Sequence, residues 1–329
     1  MRRLHSFRTR GSALATLLAA CLSGCGGKTS RSTGPTGDAT GEHLLVYTSD
    51  AGRPAGEHGL ALYDFDLNGF HGLPGLDAAG SEFDPCLSND GRFLAFSATR
   101  GSTGSDIIIY DRLLAALQGR PKLATAAEES WPRFAYDSIH LAFVRRLATG
   151  AKRVLLYEPA GDTLVPLPGL AATDSTRNDD EPAPNLDGSR IAFMSDRGGT
   201  HDILLWRRAP VVTIPALAST GDDIEPSLTA DGRWLAFASD RAGGAGGYDI
   251  YLYDVTNGVL ITLPGLNSAG NDRHPSVSAD GDVIAFQSDR AGGGGLNDLY
   301  FYTVSTQAIT QPAPLKAPSD DISPYLRWR

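Results

Sequence analysis

The sequence predicts an all-β fold: a six-bladed β-propeller of four-stranded blades, closed by a C-terminal strand joining the N-terminal blade. Three observations predict it. A unit recurs through the chain, marked by Pro85, Pro132, Pro182, Pro226, Pro275 and Pro324 at steps of 47, 50, 44, 49 and 49 residues, and by Tyr47, Phe96, Phe143, Phe193, Phe237 and Phe286. Each unit holds several short apolar runs between turn residues, as expected of a radial repeat with one small sheet per unit. The two ends of the chain are complementary, since it enters on the second strand of a unit and stops after a first strand.

The clearest unit runs from Glu225 to Asp254. It reads as a short strand from Pro226, an Asp231-Gly232 turn, an apolar strand from Trp234 to Ala238, a glycine-rich loop and a third strand from Ile250 to Tyr253. Gly232 follows Asp231 where a tight hairpin needs positive φ.

In chain order, residues 1–24 combine Arg2, Arg3, Arg8 and Arg10 with an apolar stretch around Leu14 to Ala20 and small residues before Cys25. That is the layout of a secretory signal, too short to span a membrane as a mature helix. Removing it takes away four Arg and no acid, which moves the net charge from −9 to −13. So acidic a chain is not expected to bind nucleic acid, which needs Lys and Arg to displace counterions. Of three cysteines, Cys21 lies in the signal and Cys25 at its end, leaving Cys86 without an intrachain partner. Residues 25–43 are Gly, Ser, Thr and Lys without periodicity and read as a flexible tether.

Residues 44–329 form the propeller. Leu44 to Asp50 matches the second strand of the repeat, Leu60 to Asp64 the third and Phe70 to Leu76 the fourth, while Asp321 to Arg329 matches the first. The two ends therefore complete one blade, which leaves no open sheet edge and sets the count at six. Middle strands sandwiched between neighbouring sheets should be apolar on both faces. Ala95, Ala142, Ala192, Ala236 and Ala285, with Val46, stand before the aromatic as small residues for close sheet packing.

Two motifs point outside this chain. The run Leu22-Ser23-Gly24-Cys25 resembles the lipobox of bacterial lipoproteins, which implies acylation of Cys25 and a stable lipid anchor. Gly26 stands where inner-membrane retention signals have Asp, so the resemblance implies the outer membrane of a Gram-negative cell envelope, facing the periplasm. The repeat itself, best copied in Ser239-Asp240-Arg241 with Asp249-Ile250-Tyr251 and in Ser288-Asp289-Arg290 with Asp298-Leu299-Tyr300, resembles the propeller repeat of the TolB-like family. The same repeat occurs in the propellers of prolyl-oligopeptidase-type peptidases. No Gly-x-Ser-x-Gly nucleophile elbow is present, so a peptidase activity is not implied.

Comparing the repeats with one another singles out two sets of residues. Arg100, Arg197, Arg241 and Arg290 follow the second strand, and Asp106, Asp202, Asp249 and Asp298 open the third, in the same four blades. Leu147 with Arg153, and Ala51 with Gly59, replace them together in the other two. Residues that vary together usually touch, so the expectation is an Arg–Asp ion pair across the loop of each of the four blades. Three residues before each proline stands a carboxylate: Glu82, Glu129, Asp179, Asp223, Asp272 and Asp321. Six acids should ring one mouth of the channel, either capping local N–H groups or sharing the clamp arginines, or else offering a rim to a basic partner segment or to a hard cation such as Ca²⁺. No other cofactor is expected: the seven His show no metal-ligand spacing and read as single surface residues, which leaves a site assembled from different blades, near His201 and His274, as the alternative. The glycine-rich loops, such as Gly243-Gly244 and Gly292 to Gly295, read as flexible because no helix follows to make a phosphate cradle.

Two function classes follow. One is a lipid-anchored, monomeric scaffold that docks a protein or peptide through an acidic channel face. The alternative is an envelope enzyme acting on a sugar polymer or peptide, which would need His, Arg and Lys to converge on one mouth.

Overall fold

The computed structural model describes residues 43–76, 80–99, 104–170, 177–208, 211–214, 217 and 219–328. The signal, Cys25 and the tether lie outside the described residues, as does Arg100. Six four-stranded antiparallel sheets are arranged as blades. Blade 1 takes its inner strand from the C-terminus, Asp321–Trp328, followed outward by His43–Ser49, Gly59–Asp64 and Gly69–His71. Blades 2 to 6 each run in sequence from inside to outside, their inner strands being Glu82–Leu87, Glu129–Phe134, Asp179–Pro184, Asp223–Leu228 and Asp272–Val277. Closure is by the register His43↔Trp328, Val46↔Tyr325 and Ser49↔Asp321, so the two ends of the chain complete one sheet.

The turn between first and second strands sets the start of each blade. Gly91, Gly188, Gly232 and Gly281 have φ of 65 to 83°, and in blade 3, where Asp137-Ser138 replaces Asp-Gly, Ser138 takes φ 59°. The outer strands are only three residues long, and the fourth strand expected to reach Leu76 ends at His71. Pro74, Pro168 and Pro264 lie beyond their strands, and each carbonyl accepts a hydrogen bond from the next blade, from Tyr110, Trp206 and Tyr302.

The core is six wedges, one between each pair of neighbouring blades. Phe96, Phe143, Phe193, Phe237 and Phe286 are fully buried with the small residues before them, because second strands are covered by sheets on both faces. Cys86 is buried between blades 2 and 3, where the apolar surroundings push its thiol up to about 12 and keep it inert.

Candidate functional site

The six carboxylates expected at the rim do begin the six inner strands, but they are not a solvated rim. Glu82, Glu129, Asp179, Asp223, Asp272 and Asp321 are all at most 2 % exposed. Each is engaged from its own blade or the one before. Asp179, Asp223 and Asp272 meet Arg197, Arg241 and Arg290 at 2.5, 2.8 and 2.6 Å. Glu129 meets Arg145 at 2.8 Å, and Glu82 lies 3.7 Å from Arg53. Asp321 accepts the hydroxyls of Ser49 and Ser319 at 2.6 and 3.0 Å. Carboxylates this deeply buried are parts of the blade and not an exposed docking surface, although the Oδ2 atoms of Asp223 and Asp321 accept no hydrogen bond among the described residues.

These contacts also correct the expected Arg–Asp clamps. Arg241 and Arg290 do not reach Asp249 and Asp298, nor does Arg197 reach Asp202. Strand register explains why. Asp223, Ser239 and Asp249 form one row across the sheet, so the second-strand serine separates the two acids. Arg241 folds back over Phe237 and Tyr251, ring centroids at 5.1 and 4.7 Å, and its guanidinium arrives at the inner acid. The third-strand acids are held instead by the glycine-rich loops. Asp249 accepts the N–H of Ala245 at 2.7 Å, and Asp298 those of Gly294 and Gly295 at 2.9 and 3.2 Å. Gly244 and Gly293 pass so close to these carboxylates that a Cβ at either would overlap them. The loops expected to be flexible are therefore cradles filled by the chain's own Asp. Asp106 begins the same third-strand position in blade 2.

The residues directly before each proline were not singled out by the sequence pattern, and four of them, Trp131, Glu181, Glu225 and His274, line a cavity between the inner strands. Asp84, Trp131, Glu181, Glu225, His274 and Ser323 all have φ between 49 and 57°, the left-handed region that non-glycine residues avoid. Each sits at a bulge where the inner strand slips against the second, for example between Ile224 and Ser227. The bulge gives all six residues the same backbone setting while their side chains differ. Strain of about 1–2 kcal/mol at each position is held by bonds passed from blade to blade. The N–H of Glu225 donates to Glu181 at 2.6 Å, that of His274 to Glu225 at 2.7 Å, and that of Ser323 to Gln287 at 2.9 Å. The N–H of Trp131 donates to Ser97 at 3.2 Å.

Across the channel, Trp131 of blade 3 stacks on His274 of blade 6 with ring centroids 5.8 Å apart. Arg133 lies on the same indole and on the ring of Tyr325 from blade 1. This column and the prolines line a cavity of about 40 Å³, room for a few waters, with Glu181 and Glu225 in its wall. Charge is unevenly matched there. Glu225 is paired with Arg273 and lies 3.0 Å from the His274 ring, and Asp180 is paired with Lys152. Glu181 has no cation partner among the described residues, and burial together with Glu225 and Asp180 raises its pKa well above the ordinary range. Burial likewise pushes Asp84 up to about 6, against the pull of Arg133, and lowers His274 to about 4, which keeps that imidazole neutral. Among the described residues no three His, Cys, Asp or Glu side chains converge as a metal site.

The fold defines a class, the six-bladed β-propeller with four-stranded blades, folded like TolB. Comparison with solved structures agrees on the fold. TolB from Acinetobacter baumannii is similar at 17% identity and a TM-score of 0.66, covering 87% of this chain and 67% of that one. A putative TolB from Agrobacterium tumefaciens is similar at 15% identity and 0.56, covering 87% and 98%. An oligogalacturonate lyase in complex with manganese is similar at 14% and 0.56, covering 83% and 74%. No protein-family model and no curated protein matches the chain.

Proposed function

We propose that this chain is a binding protein of the cell envelope, tethered through acylated Cys25 to the outer membrane and facing the periplasm as a monomer, whose channel mouth docks a segment of a protein partner. The observation that supports it is the pre-proline ring. Asp84, Trp131, Glu181, Glu225, His274 and Ser323 share one strained backbone setting, and four of them, Trp131, Glu181, Glu225 and His274, wall one cavity. A purely architectural position would repeat its side chain as it repeats its φ, as the buried acids do, whereas a surface that recognises one partner gains from six different groups on a rigid ring. The unmatched Glu181 favours a segment carrying Lys or Arg. The TolB-like fold fits a docking role and adds nothing on the partner's identity. A tiled array of basic peptides probed with wild type, Glu181→Gln and Trp131→Ala tests the reading, with loss of bound spots in the variants expected.

A second reading has its own support. His274, Arg273 and Lys152 meet carboxylates near the mouth, the mixture that an enzyme would need, and a manganese-containing oligogalacturonate lyase shares the fold. In this mouth, however, each of the three is already bonded to an acid. Incubation with oligogalacturonate and Mn²⁺, followed at the wavelength of the unsaturated product, decides it. Turnover would move the chain to the enzymes.

A further inference from the structure

The seams between blades carry a second pattern. The first residue of each inner strand lies beside the start of the previous blade's third strand. The N–H of Glu82 donates to His58 O at 3.1 Å, that of Asp272 to Tyr248 O at 2.8 Å and that of Asp321 to Asn297 O at 3.0 Å. These backbone bonds, with that of Asp223 to His201 O, set Gly59 alongside Glu82, Asp202 alongside Asp223, Asp249 alongside Asp272, and Asp298 alongside Asp321. Five of the six inner-strand acids have a guanidinium: Glu82 has Arg53, Glu129 Arg145, Asp179 Arg197, Asp223 Arg241 and Asp272 Arg290. Arg53 fills the space over Gly59 and lies 3.7 Å from Glu82.

The seam between blades 6 and 1 is the opposite case. Asp298 and Asp321 are 2 % and 1 % exposed, and among the described residues neither has an ion pair, whereas Asp223 and Asp272 have Arg241 and Arg290. Asp321 gives Oδ1 to both serines, and its buried Oδ2 has no partner. Asp298 gives Oδ2 to the glycine loop, and its Oδ1 faces the side-chain amide of Gln311 at 3.1 Å. Two buried carboxylates without a counter-charge are costly. With Asp298 and Asp50 adding to burial, the Asp321 carboxyl is pushed up to about 6.

We propose that a hard divalent cation of the Ca²⁺ class binds between Asp298 and Asp321, where the C-terminal strand closes the wheel. Two carboxylates match its charge, and neutral oxygens complete the shell: Gln311 with its amide turned, the hydroxyls of Ser49 and Ser319, and water. The site differs from the expected rim of six acids because it lies in one seam and uses a third-strand Asp. It ties residues 298 and 321 of one end of the chain to Ser49 of the other.

The test uses the full chain after dialysis against chelator, at about pH 7.5, above the raised Asp321 value of about 6. Titration with CaCl₂ is followed by native mass spectrometry and thermal unfolding. One retained Ca²⁺ and a saturable rise in midpoint of about 5 °C at roughly a hundredfold excess over Kd are expected. Asp298→Asn removes both effects, and Asp249→Asn, in the neighbouring seam, leaves them. No retained ion and no shift up to about 10 mM, beyond the weakest Ca²⁺ modules, would overturn the proposal. A shift that persists in Asp298→Asn would overturn it equally, by placing the ion elsewhere.

Discussion

Replacing Asp321 with Asn should stabilise the protein in chelator at about pH 8. The carboxyl is raised from 3.8 to about 6 by burial and by Asp298 and Asp50. A raised acid contributes stability that is fully present below its unfolded value and lost as pH rises through its folded one. The window is therefore about pH 4 to 6, and above it the wild type carries a penalty of roughly 3 kcal/mol, the free energy that separates those two pKa values. Asn keeps an oxygen for Ser49 and Ser319 and turns an N–H₂ toward the orphan side, so most of the penalty should be recovered. Allowing about 1 kcal/mol for weaker bonds to a neutral acceptor leaves a gain of about 2 kcal/mol, a midpoint rise of about 4 °C. Unfolding curves of both proteins between about pH 4 and 8 check this. The gain should shrink toward zero near the lower end of that range. A variant that is less stable than wild type at the upper end by about 1 kcal/mol or more, on the order of one hydrogen bond, would refute the burial reasoning.

Other outcomes follow from the same contacts. Arg290→Ala leaves Asp272 buried without its partner and should cost about 3–5 kcal/mol in urea unfolding, with much of the loss restored by adding Asp272→Asn. Gly293→Ala puts a Cβ into the Asp298 carboxylate and should destabilise by more than about 2 kcal/mol, whereas Gly265→Ala, with open space around it, should cost only the strain of its positive φ. His274 is lowered to about 4 by burial, so it contributes stability present above its unfolded value near 6.5 and lost as pH falls toward its folded one. His274→Gln should flatten the loss of stability between pH 6.5 and about 4, measured by chemical denaturation. Cys25→Ser should abolish incorporation of labelled palmitate, and persistence of label in that variant would remove the anchor.

The wheel was legible in the sequence because each blade repeats the same demands: a positive φ at Gly232, a small residue at Ala236, an aromatic at Phe237. The joining of Ser49 to Asp321 was legible because each end lacked what the other had. The ion pairs were misassigned for a physical reason. Arg241 and Asp249 occur together because both serve one row of strand openings, and covariation within a repeat reports shared membership as readily as contact. The acids at Asp223 and Asp272 looked like a rim because sequence gives position along a strand but not depth below a neighbouring blade. The pre-proline ring does leave a signal in the sequence: between an unchanging acid and an unchanging proline, one residue varies among Asp84, Trp131, Glu181, Glu225, His274 and Ser323. Its inward aim depends on a bulge that no propensity encodes.

The most direct measurement is binding of a basic peptide recovered from the array, by fluorescence anisotropy, to wild type, Glu181→Gln and Asp249→Asn. Docking at the channel mouth predicts affinity about tenfold weaker for Glu181→Gln, the loss of one charge-assisted bond, and unchanged for Asp249→Asn. Equal affinity for wild type and Glu181→Gln would contradict it.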